Sequence, residues 1–131
     1  TSLKALIDNQ ISYFSSKKTF DINFRIKKLN ELLKTIKNSE KEIEFALFKD
    51  LGKSKGESYL TEIHFIYSEI NIALKNIRKW TRRKPIKSKL INFPSSDYII
   101  PEPYGNTLHI SPWNYPFNLS ISSTRIVPEF R

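Results

Sequence analysis

Apolar residues recur every three or four positions through the first two thirds of the chain. This spacing places them on one face of an α-helix. Four segments have the pattern, at residues 3–14, 25–37, 39–52 and 54–80. The sequence therefore predicts four amphipathic helices.

Polar and special residues mark the ends of these helices. Asp21 is a candidate N-cap for the second helix. Ser39 and Ser54 each precede a glutamate by three residues, which is the spacing of a capping box. Gly52 is placed to end the third helix, and Pro85 prevents the fourth from continuing.

The pattern changes after Pro85. Short β-prone runs lie at residues 90–91, 98–100 and 108–110, separated by prolines and by a turn signal at residues 104–106. These runs predict extended segments. A lone pair of strands is marginally stable in water unless it packs on something larger, so we expect the chain to be the first part of a larger fold.

Composition excludes several kinds of site. The 131 residues contain no Cys, which excludes thiol catalysis, disulfides and thiolate metal sites on this chain. The two histidines, His64 and His109, are too far apart in sequence to indicate a local ligand pair, and no metal is expected. No apolar run is long enough for a membrane helix and the start lacks a secretory pattern, so we expect a cytoplasmic protein with no membrane partner.

The net charge of +9 is concentrated in one region. Residues 70–96 contain eight basic residues and no acidic one. A solvated helix end is the favoured interpretation, because cations stabilise the C-terminal end of a helix. Binding to phosphates or to an anionic membrane surface is the alternative. The only aromatic residues in the run are Trp80 and Phe93, which form no evident stacking platform, so nucleic acid is not expected as a partner.

Several motifs carry a resemblance to a known family. They are E-P-Y-G at residues 102–105, I-S-P-W-N-Y-P-F at 110–117, A-L-F-K-D-L-G-K at 46–53, and E-I followed by a second E-I across residues 62–70. Together with Trp80 they resemble the N-terminal segment of NAD(P)-dependent aldehyde dehydrogenases, most closely the class 3 branch. The match extends from about Arg25 to Leu119.

The resemblance implies an α/β enzyme with a Rossmann-type cofactor domain, a catalytic domain that carries a Cys nucleophile, and a β arm used for dimerisation. In that scheme, residues 1–84 are the helical N-terminal part of the cofactor domain and 85–105 are the arm. Residues 106–121 are the first strand and the P-W-N-Y-P loop, and 122–131 form an unmatched tail. This chain itself is then mostly helical, with a β hairpin and one strand of the cofactor domain.

The implied reaction oxidises an aldehyde to a carboxylic acid through a Cys thiohemiacetal, with NAD or NADP as cofactor. By resemblance, Asn114 donates its amide N–H to the oxyanion, Tyr115 lines the aldehyde pocket, and the cofactor's nicotinamide-ribose side is bordered by Ile110, Ser111, Pro112 and Trp113. From spacing alone, Asn114 instead satisfies a turn between two prolines. Trp113 and Tyr115 are then ordinary core or surface aromatics.

The missing parts limit what these residues can do alone. The chain has no Cys nucleophile, and the family's general base and cofactor-phosphate segments are absent as well. We therefore expect no turnover and no tight cofactor binding by this chain, and a homo-oligomer. The alternative is a non-catalytic interaction module with exposed apolar faces. Glu62 and Glu69 are interpreted as ordinary helix-face residues, and His109 as a structural substitution in a strand.

Overall fold

A computed structural model describes residues 2–89, 91 and 93–122 of the chain. The protein is mostly helical, with a two-stranded sheet. Its elements in chain order are α1 (Leu3–Ser15), a 3-10 turn (Lys18–Phe20), α2 (Ile22–Asn38), α3 (Glu40–Leu51), α4 (Lys55–Ser58), a π-helical turn (Tyr59–Ile63), α5 (His64–Trp80), β1 (Lys84–Ile86), β2 (Asp97–Ile99) and α6 (Pro116–Ser122).

Most of the predicted helix boundaries are confirmed. The Asp21 carboxylate accepts hydrogen bonds from the backbone N–H groups of Asn23 and Phe24, both at 3.1 Å, and so caps α2. Gly52 ends α3 in the left-handed conformation at φ 67°, where a side chain would be strained. Ser54 Oγ accepts from the Glu57 N–H at 3.2 Å, as an N-cap does.

The capping box predicted at Ser39 is wrong. The Ser39 side chain makes no cap hydrogen bond, and its backbone lies at φ −98° and ψ 9° rather than in the extended conformation of an N-cap. The cause is that α2 and α3 follow each other directly. The Ser39 N–H still donates to the carbonyl oxygen of Thr35, so this residue completes α2 while α3 begins.

The core lies between α2 and α5. Leu29 and Ile36 of α2 are buried against the π-helical turn and α5, whose buried side chains include Ile63, Ile66, Ile70, Ala73 and Ile77. Apolar side chains at this spacing form one stripe, and its burial supplies the main driving force for folding. The helix predicted at residues 54–80 is confirmed as a continuous run of α4, the π-helical turn and α5, and it contains most of the core.

Among the described residues, no helix has the length and apolar character needed to cross a membrane.

The two strands pair antiparallel. Lys84 lies opposite Ile99, Pro85 opposite Tyr98, and Ile86 opposite Asp97. The run predicted at residues 98–100 therefore forms β2 within one residue. Its partner β1 is not expected from the sequence, because Pro85 there indicates only the end of a helix. Proline is nevertheless tolerated in an edge strand. Of the run predicted at 90–91, residue 90 lies outside the described residues and Ile91 is in neither strand.

The segment after the sheet differs from its prediction. Residues 106–110 form no strand, and Leu108 and Ile110 are 87% and 81% exposed. A strand needs a neighbour for its backbone hydrogen bonds, and within the described part of the chain none lies beside this segment. Helix α6, by contrast, was not predicted. Its signal was Pro116, since proline is common at the first position of a helix. Of the tail predicted at residues 122–131, Ser122 is instead the last residue of α6, and residues 123–131 lie outside the described residues.

The core makes a direct prediction about stability. Ile66→Ala removes most of a side chain that is 1% exposed, and we expect it to lower the free energy of unfolding by about 2–5 kcal/mol. Ile72→Ala is the matched control, because Ile72 is on the same helix and is 45% exposed; its effect should stay within about 0.5 kcal/mol. Urea unfolding followed by circular dichroism measures both. Equal losses in the two variants would contradict the described core.

A second prediction concerns the contact between α3 and α5. The Tyr67 hydroxyl donates to Glu40 Oε2 at 2.7 Å, and burial together with this hydrogen bond raises the pKa of the Tyr67 phenol. Because the folded-state pKa lies above the unfolded value of about 10, the stabilisation by the protonated phenol is complete below pH ~10 and is lost above it. The difference in unfolding free energy between the parent chain and Tyr67→Phe should be about 1 kcal/mol at neutral pH. Urea titrations from neutral pH upward should show this difference shrinking above pH ~10; a constant difference would refute the assignment.

Candidate functional site

The P-W-N-Y-P motif forms a loop, residues 112–116, that leads directly into α6. We call it the site loop. The extended segment before it folds back along α6. His109 Nε2 lies 3.1 Å from the carbonyl oxygen of Leu119, and Ser111 Oγ lies 2.7 Å from Ser120 Oγ. The two sides of the loop are thus tied together by side chains near its ends.

Glu62 holds the far end of the site loop. It lies in the π-helical turn, is fully buried, and its Oε2 accepts hydrogen bonds from the backbone N–H groups of Phe117 (3.1 Å) and Asn118 (2.9 Å). The first N–H groups of a helix have no partner within the helix, and a negative charge there is also favoured by the helix dipole. The Glu62 carboxylate therefore caps α6 from a different part of the chain.

Lys53 holds the middle of the loop. It follows the left-handed Gly52 and is 8% exposed. Its ammonium group forms an ion pair with Glu62 Oε1, donates to the carbonyl oxygen of Asn114 at 3.0 Å, and lies 4.2 Å from the centre of the Tyr115 ring. An ammonium group has three N–H donors, and these three contacts surround it. The buried lysine is therefore fully partnered.

A further hydrogen bond and two apolar contacts complete the attachment of α6. The Asn118 side-chain amide donates to the carbonyl oxygen of Thr61, also in the π-helical turn, at 3.1 Å. Phe117 and Ile121 pack against the core. π-Helical turns are rare and occur often at functional sites. Here the turn presents Glu62 to the loop while Ile63, the next residue, stays in the core.

The predicted site residues lie together on or beside the site loop. The Asn114 backbone carbonyl points inward to Lys53, whereas the residue is exposed and its side-chain amide has no hydrogen-bond partner among the described residues. Trp113 is 84% exposed and Tyr115 is 39% exposed. Ile110 and Pro112 are exposed, and Ser111 is half-buried through its bond to Ser120. The inner side of the loop is therefore bonded to Lys53, and its outer side is exposed.

Sequence reasoning missed two residues of this site. From the sequence, Lys53 is only the last residue of a motif, and Glu62 is expected to be an ordinary helix-face residue. That interpretation is wrong for Glu62, which is fully buried, and correct for Glu69, which is exposed. The available signal was their position: Lys53 ends one family motif and Glu62 begins the next.

No metal centre is visible in this region. Within residues 2–89, 91 and 93–122, no group of three or more His, Asp or Glu side chains is close enough to bind a metal ion. The groups available at the loop are an amide donor, two aromatic rings and exposed backbone. These groups can donate hydrogen bonds and enclose a small molecule.

Comparison with known proteins gives one consistent family. A family model described as "Aldehyde dehydrogenase family" matches residues 2–128. The 4,4'-diaponeurosporen-aldehyde dehydrogenase of Staphylococcus aureus is 45% identical over 108 residues, which are 82% of this chain and 24% of that protein. Mouse aldehyde dehydrogenase family 3 member B3 is 39% identical over 108 residues, 82% of this chain and 22% of that protein.

A solved structure agrees with the sequence comparisons. The substrate-bound state of Staphylococcus aureus AldH superposes with a TM-score of 0.86 at 40% identity, covering 92% of this chain and 27% of that one. The chain spans about a quarter of the length of the curated relatives it matches. Because the family model matches residues 2–128, the chain belongs to the aldehyde dehydrogenase family, and it is similar to class 3 members over most of its length.

Proposed function

We propose that this chain supplies the oxyanion-stabilising loop of a class 3-like aldehyde dehydrogenase, which oxidises an aldehyde to a carboxylic acid with NAD or NADP. One observation supports the proposal above the others. The backbone of Asn114 is anchored from the interior by Lys53, while its side-chain amide is exposed and unpartnered among the described residues. An unpaired amide donor on an anchored backbone is the arrangement expected of a group that donates to a reacting oxygen.

The chemistry requires such a donor. A Cys thiolate adds to the aldehyde carbon, and the carbonyl oxygen becomes a negatively charged oxyanion. The Asn114 amide N–H donates to that oxygen, and a donor of this kind typically contributes about 2.7–4 kcal/mol to transition-state stabilisation. The hydride then leaves the carbon and water hydrolyses the thioester, which gives the carboxylic acid. The thiolate belongs to the whole enzyme, since these 131 residues contain no Cys.

The neighbouring residues suit the nicotinamide end of the cofactor. NAD or NADP, when bound, accepts the hydride. Residues 110–112 present exposed or half-exposed backbone, and the Trp113 ring is 84% exposed, so a flat ring and its ribose could lie against them. The described residues include no glycine-rich turn that would take the pyrophosphate. We therefore assign Ile110, Ser111, Pro112 and Trp113 to the nicotinamide-ribose side, and expect no tight binding by this chain alone.

Tyr115 is assigned to the aldehyde pocket. One face of its ring lies against the Lys53 ammonium group, and the residue is 39% exposed. A ring held on one side and open on the other can form a pocket wall.

Residues 85–105 are assigned to a dimerisation arm, which presents exposed Ile86, Ile99 and Ile100. The arm, the homo-oligomer and a cytoplasmic location stay predictions.

The alternatives are less well supported. An interaction module is consistent with exposed Leu108, Ile110 and Trp113, but the same exposure is expected wherever further layers of the enzyme would pack. The basic run makes intramolecular contacts: Arg78 donates to the Asn23 side-chain oxygen at 2.9 Å, and the Arg83 guanidinium lies 4.6 Å from the Tyr98 ring centre. Among the described residues of the run, no contact favours a polyanion over solvent.

The proposal can be tested in a hybrid enzyme. In the Staphylococcus aureus relative, the 108 aligned residues are replaced by those of this chain, so that the thiolate and the rest of the cofactor domain are present. We expect aldehyde-dependent reduction of NAD or NADP by the hybrid. Asn114→Ala should lower kcat by about 10²–10³, because an oxyanion donor acts in the transition state.

Asn71→Ala is the matched control, since Asn71 is an exposed asparagine on α5. It should leave kcat unchanged. An active hybrid in which Asn114→Ala and Asn71→Ala behave alike would refute the oxyanion role. Circular dichroism of each hybrid separates loss of chemistry from loss of folding.

The 131-residue chain by itself should be inactive. Aldehyde and NAD or NADP, added to the purified chain, should give no reduced cofactor by absorbance at 340 nm, because covalent catalysis needs a thiolate that the sequence does not contain. The hybrid enzyme is the positive control. Reduction that depends on both the aldehyde and the chain would overturn this expectation.

A further inference from the structure

We propose that Lys53 and Glu62 are positioning residues of the dehydrogenase reaction: their buried ion pair fixes the backbone on both sides of the Tyr115-Pro116 step and thereby fixes the backbone position from which the Asn114 side chain extends. This inference rests on the proposed function, because it assumes that Asn114 donates to the oxyanion. Neither residue is expected to touch the aldehyde or the cofactor. Each acts through the loop.

The two residues bind backbone groups that are close together in the chain. Lys53 donates to the carbonyl oxygen of Asn114, and Glu62 accepts from the N–H groups of Phe117 and Asn118. The only residues between these attachment points are Tyr115 and Pro116, and the proline ring fixes its own φ near −65°. The backbone therefore has little freedom left between the two contacts.

The pair differs from the other ion pairs of the described residues. Both of its side chains are buried, at 9% and 0% exposed, whereas Lys28 and Glu31 are 57% and 47% exposed, and in the third pair Glu44 is 11% but Lys55 is 78% exposed. Exposed pairs contribute little and exchange partners with water. A buried charge needs its partner and its hydrogen bonds in place, so a buried pair permits few arrangements of the groups around it.

The hydrogen-bond pattern at position 62 needs a side chain with two acceptor oxygens. Glu62 Oε1 faces the Lys53 ammonium group and Oε2 faces two backbone N–H donors, so both oxygens act as acceptors. A glutamine has one acceptor oxygen and one donor NH2 group. In Glu62→Gln, the NH2 group would meet either the ammonium group or the two N–H groups, and one attachment of the loop would be lost. The size of the side chain would hardly change.

The test is a double-mutant cycle in the hybrid enzyme. Glu62→Gln should lower kcat by about 10- to 100-fold with little change in the KM for aldehyde, because small displacements of a catalytic group cost up to about 10² in rate. In the Asn114→Ala background, the same substitution should have almost no further effect on kcat. Glu69→Gln, an exposed glutamate on α5, is the matched control and should be neutral in both backgrounds.

The outcomes separate this inference from the proposed function. If Asn114→Ala leaves kcat unchanged, the proposed function fails and the positioning role fails with it. If Asn114→Ala lowers kcat and Glu62→Gln lowers it by the same factor in both backgrounds, the oxyanion role stands and the positioning role is refuted.

A second measurement uses the unmodified 131-residue chain. In amide hydrogen exchange by NMR, the N–H groups of Phe117 and Asn118 should be protected, and Glu62→Gln should speed their exchange by about tenfold or more while the Ala73 amide in the core stays protected. If Glu62→Gln does not fold, the wild-type chain still decides the matter. The Lys53 ammonium protons should then exchange slowly and show contacts to the Tyr115 ring, and a freely exchanging ammonium group would overturn the proposal.

Discussion

The ion pair between Lys53 and Glu62 is the constraint on which the site depends. Removing two charges from water costs several kcal/mol for each ion, and their mutual attraction offsets this cost only when the remaining hydrogen bonds are also made. Those remaining bonds go to the backbone of the site loop and of α6. The Asn114 carbonyl and the first N–H groups of α6 cannot move away without leaving a buried charge partly unpaired. The same contacts that stabilise the pair therefore hold the backbone at these positions.

The helical scaffold brings the pair together from two directions. Burial of the α5 stripe against α2 fixes the long helix, and the π-helical turn at its start carries Glu62. The left-handed Gly52 ends α3 and leads directly to Lys53. Helix α6 then rests on both, through its capped N-terminus and through Phe117 and Ile121. Each part of the site is thus attached to an element whose position is set by apolar packing, which explains how a short loop can be held accurately.

An element could be predicted where the sequence signal for it lies within a few turns of chain. The helices at residues 3–14, 25–37 and 54–80 were predictable because apolar periodicity and caps such as Asp21 act within a few turns of chain. The strand expected at 106–110 failed because a strand depends on a neighbour. Helix α6 was not predicted, because the motif places Pro116 in a loop, whereas it is the first residue of the helix. The burial of Glu62 was not predictable from periodicity, since its partners lie 9, 55 and 56 residues away in the chain. The family motifs indicated where the site lies, but contacts between motifs determine how it is held.

The structure also separates what the backbone fixes from what it leaves free. The hydrogen bond to Lys53 holds the carbonyl of Asn114, yet the side-chain amide of that residue has only its own two torsions and no partner among the described residues. Ordering such a side chain costs about 1 kcal/mol, far less than ordering the loop as well. An oxyanion that forms within reach could complete the ordering by accepting the amide N–H. The costly part of preorganisation is therefore met by the buried charges when the chain folds, and only the inexpensive part is left to the moment of reaction. This division explains why the interior of the site is charged and fully bonded while the Asn114 amide on its outer face is unpaired among the described residues.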